Sequence, residues 1–239
     1  MKRTAASGSA TTYFTPELFR FLLELRYNNH RAWFQANKPR YEEHVRQPFL
    51  RFIEDFAPCL KRINPAFTAE ARSLFRIHRD TRFSYDKTPY KTHAAAQFRH
   101  ILGRDVHAPG FYLHLEPDNC FIAGGIWLPE PEPTLRIRQA IARWDPRWMA
   151  FKQEGPPLFQ EDKLKRAPKG FDPHHPLIEE LKLKSFIAGV AFREEEVCSP
   201  NFLDQVGQAC QRLNPLVDFL CDVLKLPTAE AIEAPRGMS

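Results

Sequence analysis

Residues 111–128 read FYLHLEPDNCFIAGGIWL and predict a β-hairpin. From Phe111 to Glu116, apolar residues alternate with more polar ones, which is the period of a strand with one buried face. Pro117-Asp118-Asn119 supply turn-forming residues, and Cys120 to Leu128 read as the returning strand. Gly124-Gly125 in this strand indicate a bulge or the close approach of another backbone. The hairpin therefore predicts an antiparallel sheet.

Other stretches are predicted to extend this sheet. Residues 74–80 alternate in the same way, with Phe75 and Ile77 on one face and polar side chains on the other. Residues 94–101 and 186–192 carry shorter strand patterns.

Amphipathic helices are predicted before the sheet. Thr15 can cap a helix that begins at Pro16, and Asn28-Asn29 ends that helix. A second helical segment spans residues 31–37. From Tyr41, apolar residues recur every three or four positions in a long helix that Pro48 should kink, because proline lacks an N–H donor.

Further helices are predicted after the hairpin. A stiff proline-rich connector at residues 128–133 leads into a helix whose buried stripe includes Trp144. Residues 154–176 are rich in Pro, Lys and Gly and predict a long surface excursion. From Val206 to Leu224, apolar residues repeat at alternating steps of four and three. Because this seam is short, it predicts a terminal helix packed on its own chain rather than a dimerising coil.

Length and composition fit one packed domain. The chain has 239 residues, of which 43% are hydrophobic and 13% aromatic, enough to bury a sizeable core. The predicted fold is a single α+β domain at residues 13–226, with a mainly antiparallel sheet packed against several amphipathic helices. Residues 1–12 are predicted to be disordered, and residues 227–239 are predicted to form a flexible tail.

Charge and cysteine content indicate which partners and which cellular compartment to expect. The net charge of +5 and the pI near 9.0 permit phosphate-bearing partners such as nucleic acid without requiring them. The five scattered cysteines include no Cys-x-x-Cys pair, so neither a zinc ribbon nor a disulfide framework is indicated. The expected location is a reducing cytoplasm. No stretch reaches the length of a membrane-spanning helix, so no membrane partner is expected.

The densest mixture of cations, carboxylates and rings lies at residues 79–91, RDTRFSYDKTPYK, here called the charged segment. Arginine suits a bound anion because its planar fork donates two parallel hydrogen bonds to phosphate or carboxylate. Arg79 and Arg82 are therefore predicted to clamp an anionic ligand, with Asp80 and Asp86 orienting the two guanidinium groups.

The rest of the charged segment would complete such a site. Lys87 and Lys91 would act as point charges. The aromatic walls would be Phe83, Tyr85 and Tyr90. If the strand pattern of residues 74–80 continues, one polar face lies beneath the segment: Arg76, His78, Asp80 and Arg82. Folding back of residues 84–92 over that face would then enclose a basic cavity.

A structural alternative needs no ligand. Asp80 and Asp86 could neutralise neighbouring Arg and Lys residues and brace the loop by internal ion pairs. If desolvated, either carboxylate could instead act as a general base, although the sequence fixes no reaction and does not establish an enzyme. A metal set can be drawn from Asp80, Asp86, His78 and His114, but its spacing matches no recognised pattern and nearby cations oppose a divalent ion. No metal and no other cofactor is therefore predicted.

Three motifs resemble the domain of unknown function family 2461. They are NNHRAWF from Asn28 with Asn37, Lys38 and Tyr41, RDxRFxxDKxPYK from Arg79, and GGxWxP from Gly124. The resemblance covers about residues 14–224 and implies an α+β domain of bacterial and fungal occurrence, without implying an activity. His30 stands where a smaller or polar residue is common in the family. The signature residues that the resemblance adds are Asn29, Arg31, Trp33, Asn37, Lys38 and the double glycine.

We expect the three motifs to meet in one cleft. Its lining would be Trp33, Lys38, the charged segment and Gly124 to Trp127, with Gly124 and Gly125 leaving room for a ligand. The favoured function is binding of an anionic small molecule that bears phosphate or carboxylate, with its chemical transformation left open. The alternatives are a nucleic-acid-binding protein and a structural or partner-binding protein. An enclosed pocket would favour the first, an extended positive groove the second, and fully paired charges the third.

Overall fold

The structure, a computed structural model, describes residues 11–102 and 108–226. Its α-helices are α1 Pro16–Tyr27, α2 Arg31–Tyr41, α3 Gln47–Ile63, α4 Pro131–Ala142, α5 Pro146–Glu154, α6 Ile178–Leu181, α7 Glu194–Val197 and α8 Phe202–Val223. Its strands are β1 Phe67–Thr68, β2 Ala94–His100, β3 Gly110–Glu116, β4 Asn119–Ile126 and β5 Phe186–Phe192. The predictions for residues 1–10 and 227–239 lie outside the described residues.

The five strands form one antiparallel sheet in the order β1-β2-β3-β4-β5. The predicted hairpin is confirmed, since Leu115 pairs with Cys120 and Phe111 pairs with Gly124. Asp118 takes a positive φ of 65° in the turn, a conformation that Asp tolerates better than most residues. The two shorter strand patterns are confirmed as β2 and β5. The single α+β domain with an antiparallel sheet is therefore confirmed.

One face of the sheet, the inner face, packs against helices. Phe111, Leu113 and Leu115 on β3 are completely buried there. The terminal helix α8 lies against β4 and α3, as predicted for a helix packed on its own chain. A Cβ on Gly124 would lie 2.9 Å from the Cβ of Leu213 on α8, so the glycine allows the helix to sit close to the strand.

The helices before the sheet begin and bend largely where predicted. Helix α1 begins at Pro16, although the Thr15 side chain makes no capping hydrogen bond. Helix α2 continues into a π-helical turn, Glu42–Arg46, and then into α3. Pro48 lies in the first turn of α3, directly after the irregular turn. An irregular helix is expected at this point because Pro48 has no backbone N–H to donate to the preceding turn.

Two predictions about regular structure are wrong. Residues 74–80 form no strand; they make only isolated bridges, Leu74 to Ala96 and His78 to Tyr90. The reason is that this stretch leaves the edge of β2 and pairs with its own continuation, where the Arg79 N–H donates to the Pro89 carbonyl. Trp144 is not part of a buried stripe, because α4 ends at Ala142 and the Trp144 side chain is half exposed.

The surface excursion after α5 runs beside the edge of β5 and places Phe159 over the other face of the sheet, here called the outer face. Between Gly155 and Pro176 it forms no helix or strand, as predicted. The Phe159 N–H donates to the Ile187 carbonyl, which fixes this segment against the edge of β5. Within residues 11–102 and 108–226, no helix has both the length and the hydropathy needed to cross a membrane.

Candidate functional site

A cleft of about 360 Å³ lies on the outer face of the sheet. Its lining is mostly aromatic or small, and includes Phe75, Tyr112, Phe121, Trp127 and Phe159 together with Ala123, Gly124 and Gly125. This region is here called the outer-face cleft. Aromatic lining with few polar groups is typical of small-molecule sites in proteins.

The outer-face cleft forms because the strands beneath it carry small residues, whereas aromatic side chains from segments outside the strands form its walls. Ala123 and Gly125 on β4 have little or no side chain, so the bottom of the cleft lies close to the backbone of that strand. On β5, a Cβ at Gly189 would lie 2.6 Å from the Phe159 ring, so the glycine leaves room for that ring beside the strand. Phe75 reaches the opposite wall, with its ring centroid 6.1 Å from that of Tyr112.

Lys91 stands beside this wall. Its Nζ lies 4.9 Å from the centroid of the Phe75 ring, a cation–π contact. Burial lowers the pKa of Lys91, and the nearby Arg76 guanidinium lowers it further. Within the described part of the chain, Lys91 forms no salt bridge with a carboxylate. The outer-face cleft is therefore adjoined by a half-buried ammonium that has no carboxylate partner among the described residues.

A cluster of titratable groups adjoins the same cleft. The rings of His93 and His114 lie 4.5 Å apart, and His114 Nε2 lies 3.2 Å from Glu116 Oε2. The other nitrogen of His114, Nδ1, lies 3.0 Å from the Tyr112 hydroxyl. Phe121 stacks on His114 with a centroid distance of 4.9 Å. Because Tyr112 and Phe121 both line the cleft, the cluster lies directly next to it.

Burial controls the protonation of this cluster. It lowers the pKa of His93 to about 4, and the neighbouring His114 adds to the effect. Burial also lowers the pKa of His114, which Glu116 offsets only in part. Burial opposes ionisation of Glu116, but hydrogen bonds with His114 and Thr92 outweigh it and leave the pKa of the carboxyl below its ordinary value. At neutral pH the cluster therefore holds two neutral imidazoles and a carboxylate, groups that can hold a metal ion or move a proton.

The charged segment neutralises most of its own charge. Arg82 forms a two-point ion pair with Asp80, with Nη2 to Oδ2 at 2.7 Å and Nε to Oδ1 at 3.0 Å. Arg79 pairs with Asp86 and also with the Thr88 hydroxyl. Internal ion pairs of this kind are expected if the charges brace the loop and bind no ligand, which is the structural alternative described above.

The two carboxylates of the charged segment are exposed and strongly ionised. The hydrogen bond from the Arg82 side chain holds the pKa of Asp80 at about 2. The Thr88 N–H, followed by Arg79, holds the pKa of Asp86 at about 2. Desolvation is outweighed at both carboxyl groups, so neither has the raised pKa expected of a desolvated general base.

The other residues of the charged segment differ in exposure: some side chains face solvent, and the Tyr90 side chain packs against a helix. Lys87 Nζ donates to the Thr81 carbonyl at 2.9 Å. Phe83 and Tyr85 are almost fully exposed, so they form no cavity wall. Tyr90 is buried, and its ring stacks on Phe34 with a centroid distance of 4.1 Å.

The first motif meets the second on the side of α2. The Asn29 side chain forms two hydrogen bonds with the backbone of Tyr90. Trp33 packs on Phe21 with a centroid distance of 5.7 Å, and Lys38 is exposed. Neither Trp33 nor Lys38 lines the outer-face cleft.

The structure thus separates the predicted site residues into groups. Gly124 and Gly125 line the outer-face cleft, and Lys91 touches its Phe75 wall. The others lie away from the lining: Arg79, Asp80, Arg82, Asp86, Lys87, Tyr90, Trp33 and Lys38. The outer-face cleft therefore takes its lining from only part of the three motifs. Ligand binding by the residues outside the cleft stays a prediction.

Sequence reasoning did not identify several residues of the site, although partial signals were present. The alternation of β3 placed Tyr112, His114 and Glu116 on one face, which is the outer face. His93 follows the charged segment by two residues, and the pairing of β2 with β3 brings it beside His114. No local pattern shows that Phe159 returns over this face from a segment without regular structure.

No curated protein matches the chain. A family model described as "Conserved hypothetical protein (DUF2461)" matches residues 17–219, which include all three motifs and every strand of the sheet. The chain therefore belongs to the conserved hypothetical protein family DUF2461.

Proposed function

We propose that the protein binds a small anionic molecule with a flat apolar part, and that the outer-face cleft is its site. The observation that carries the proposal is the position of Lys91, whose ammonium lies 4.9 Å from the centroid of a cleft ring without a carboxylate partner among the described residues. A planar ligand part would stack among the aromatic walls. Its phosphate or carboxylate would pair with Lys91.

The energetics of the cleft favour such a ligand. Burying an ammonium without a partner is costly, and an anion that pairs with it recovers part of that cost. Arg76 lies close enough to lower the pKa of Lys91, so the anion would meet the field of two cations. Stacking on aromatic rings adds an apolar contribution that a simple inorganic anion would lack.

A thermal-shift screen of aryl phosphates and aryl carboxylates tests the proposal. The informative variant is Lys91→Met, which removes the charge but keeps an unbranched side chain over Phe75. Lys87→Met is the matched control, because Lys87 is in the same segment but is exposed and bonded to the Thr81 carbonyl. We expect Lys91→Met to weaken binding about 10-fold or more, and Lys87→Met to leave it unchanged. A ligand that binds both variants equally well would contradict the proposed role of Lys91.

One observation favours a second candidate, binding of single-stranded nucleic acid. Phe83 and Tyr85 are almost fully exposed between Arg82 and Lys87, and bases stack readily on exposed rings near cations. Oligonucleotide affinity should then fall steeply with salt and be reduced by Phe83→Ala together with Tyr85→Ala. Affinity that these substitutions leave unchanged would exclude this surface as the binding site.

We also propose that the protein is cytoplasmic. All five cysteines are free thiols, and burial is the main cause of a raised pKa at each of them. Unpaired and unreactive thiols suit a reducing compartment.

A further inference from the structure

The His93, His114 and Glu116 side chains form a set of potential metal ligands. One nitrogen of each histidine and one carboxylate oxygen all lie within 4.8 Å of one another. Only His114 was among the residues considered for a metal from the sequence. The set forms because Ala94 pairs with Leu115 across β2 and β3, which brings His93 beside His114 and Glu116 on the outer face.

One separation in the set already matches that around a bound ion. Two ligands at about 2.1 Å from a tetrahedral ion lie about 3.4 Å apart. His114 Nε2 and Glu116 Oε2 are already 3.2 Å apart. Side-chain rotation of His93, which is half buried at the end of the loop before β2, would close the remaining distance.

The groups around the set suit metal ligands. Glu116 uses its other oxygen, Oε1, to accept from the Thr92 hydroxyl at 3.1 Å and from Arg26 Nη2 at 3.2 Å. This leaves Oε2 directed at His114. Ligating carboxylates are commonly held by such outer hydrogen bonds, which fix their orientation.

Tyr112 lets His114 change tautomer. A hydroxyl both donates and accepts, so Tyr112 can donate to Nδ1 while the Nε2 N–H of His114 donates to Glu116. When an ion takes the Nε2 lone pair, the proton moves to Nδ1 and Tyr112 accepts from it. The ring keeps its orientation in both states, as a metal-bound histidine requires.

We propose that His93, His114 and Glu116 bind a divalent first-row transition metal ion, with Tyr112 holding His114 in the ligating tautomer. Two imidazoles and a carboxylate suit Zn²⁺ and its neighbours in the series better than Mg²⁺ or Ca²⁺, which favour all-oxygen sites. Three protein ligands leave at least one position for water or a ligand oxygen. The metal site does not depend on what the outer-face cleft binds.

Calorimetric titration of the metal-stripped full chain with Zn²⁺, repeated with Co²⁺ to follow its absorption spectrum, tests the proposal. We expect one ion per chain and a Co²⁺ spectrum of low coordination number. His93→Gln and Glu116→Gln should each weaken Zn²⁺ binding by about 100-fold or more, and Tyr112→Phe by about 10-fold to 100-fold. His174→Gln, at an exposed histidine, is the control and should leave the affinity unchanged.

Far-UV circular dichroism and thermal unfolding of each variant separate loss of ligand from loss of fold. His93 and Glu116 are only half buried, so they remain decisive if a His114 variant fails to fold. Absence of stoichiometric Zn²⁺ and Co²⁺ binding to the wild-type chain would overturn the proposal. So would stoichiometric binding that His93→Gln and Glu116→Gln leave unchanged.

Discussion

The Asn29 carboxamide pairs with the backbone of Tyr90 in both directions: Nδ2 donates to the Tyr90 carbonyl at 2.9 Å, and the Tyr90 N–H donates to Oδ1 at 3.0 Å. This pairing copies the hydrogen bonds of a neighbouring strand. It joins the start of α2 to the end of the charged segment. Lys91, the next residue, is thereby held beside Phe75.

Asn29→Ala should destabilise the fold by about 2 kcal/mol, because two partly buried backbone groups lose their partners. Gln35→Ala, at an exposed position of α2, is the control and should stay within about 0.5 kcal/mol of wild type. Urea unfolding monitored by tryptophan fluorescence measures both values. Equal stability of the two variants would show that the pairing contributes little.

The double glycine should tolerate alanine poorly at both positions, for different reasons. Gly124→Ala would press a methyl group against Leu213, at a cost of about 1–3 kcal/mol. Gly125→Ala should cost more, because its φ is 139° and the new Cβ would meet the rigid backbone of Phe186.

The matched control for the glycine series is Gly170→Ala. Gly170 also has a positive φ, of 88°, but nothing lies within 4 Å of a Cβ there. Gly170→Ala should lower the free energy of unfolding by only about 1–2 kcal/mol, from backbone strain alone. Thermal and urea unfolding should therefore rank Gly125→Ala as the most damaging of the three. A Gly170→Ala variant as unstable as Gly125→Ala would show that strain, not close packing, limits position 125.

Removing the Arg82 guanidinium should raise the pKa of Asp80 without destabilising the fold. Arg82 and Asp80 are exposed, and exposed ion pairs contribute little to stability. The hydrogen bond from Arg82 is the main cause that holds the Asp80 pKa at about 2, so Arg82→Ala should return it towards 3.8. NMR titration of the carboxyl carbon measures this value. An Asp80 pKa that stays near 2 in the variant would mean that the ion pair is not formed in solution.

His93 should make stability depend on pH. Its pKa is about 4 in the folded protein and 6.5 ordinarily, so the unfolded chain binds the proton first as the pH falls. Stability is therefore lost between pH 6.5 and pH 4. The charged or titratable groups that face His93 are His114, Glu116 and Lys91.

His93→Gln should reduce the loss of stability between pH 6.5 and pH 4 by about 2 kcal/mol, allowing for partial solvent exposure. The measurement is urea unfolding at several pH values with a chelator present. His174→Gln serves as the exposed control and should keep the wild-type pH dependence. The same slope in all three proteins would contradict a buried neutral His93.

Sequence patterns predicted most of the regular elements, including β2, β5 and α8. The β3–β4 hairpin was predictable because alternation, turn residues and the returning strand all fall within residues 111–128. The pattern at residues 74–80 is nearly as regular, yet it forms no strand, because a strand also needs a free sheet edge along its length. Local alternation cannot show where that edge ends.

The candidate site was less predictable because its walls come from distant and irregular segments. Phe75 and Phe159 both lie outside strands, and neither carries a signal that it will cover the outer face. The charges of residues 79–91 were identified correctly by composition. Their mutual pairing depends on the backbone path of the loop, so only Lys91 was left beside the cleft without a carboxylate partner in the part of the chain that the structure describes.

A crystal structure of the protein with the tightest-binding aryl phosphate would show where the anion binds. We expect the ring to lie between Phe75 and Phe159 on the outer face, with a phosphate oxygen about 3 Å from Lys91 Nζ. A ligand bound instead by Arg79 and Arg82, with their ion pairs to Asp86 and Asp80 opened, would contradict this expectation.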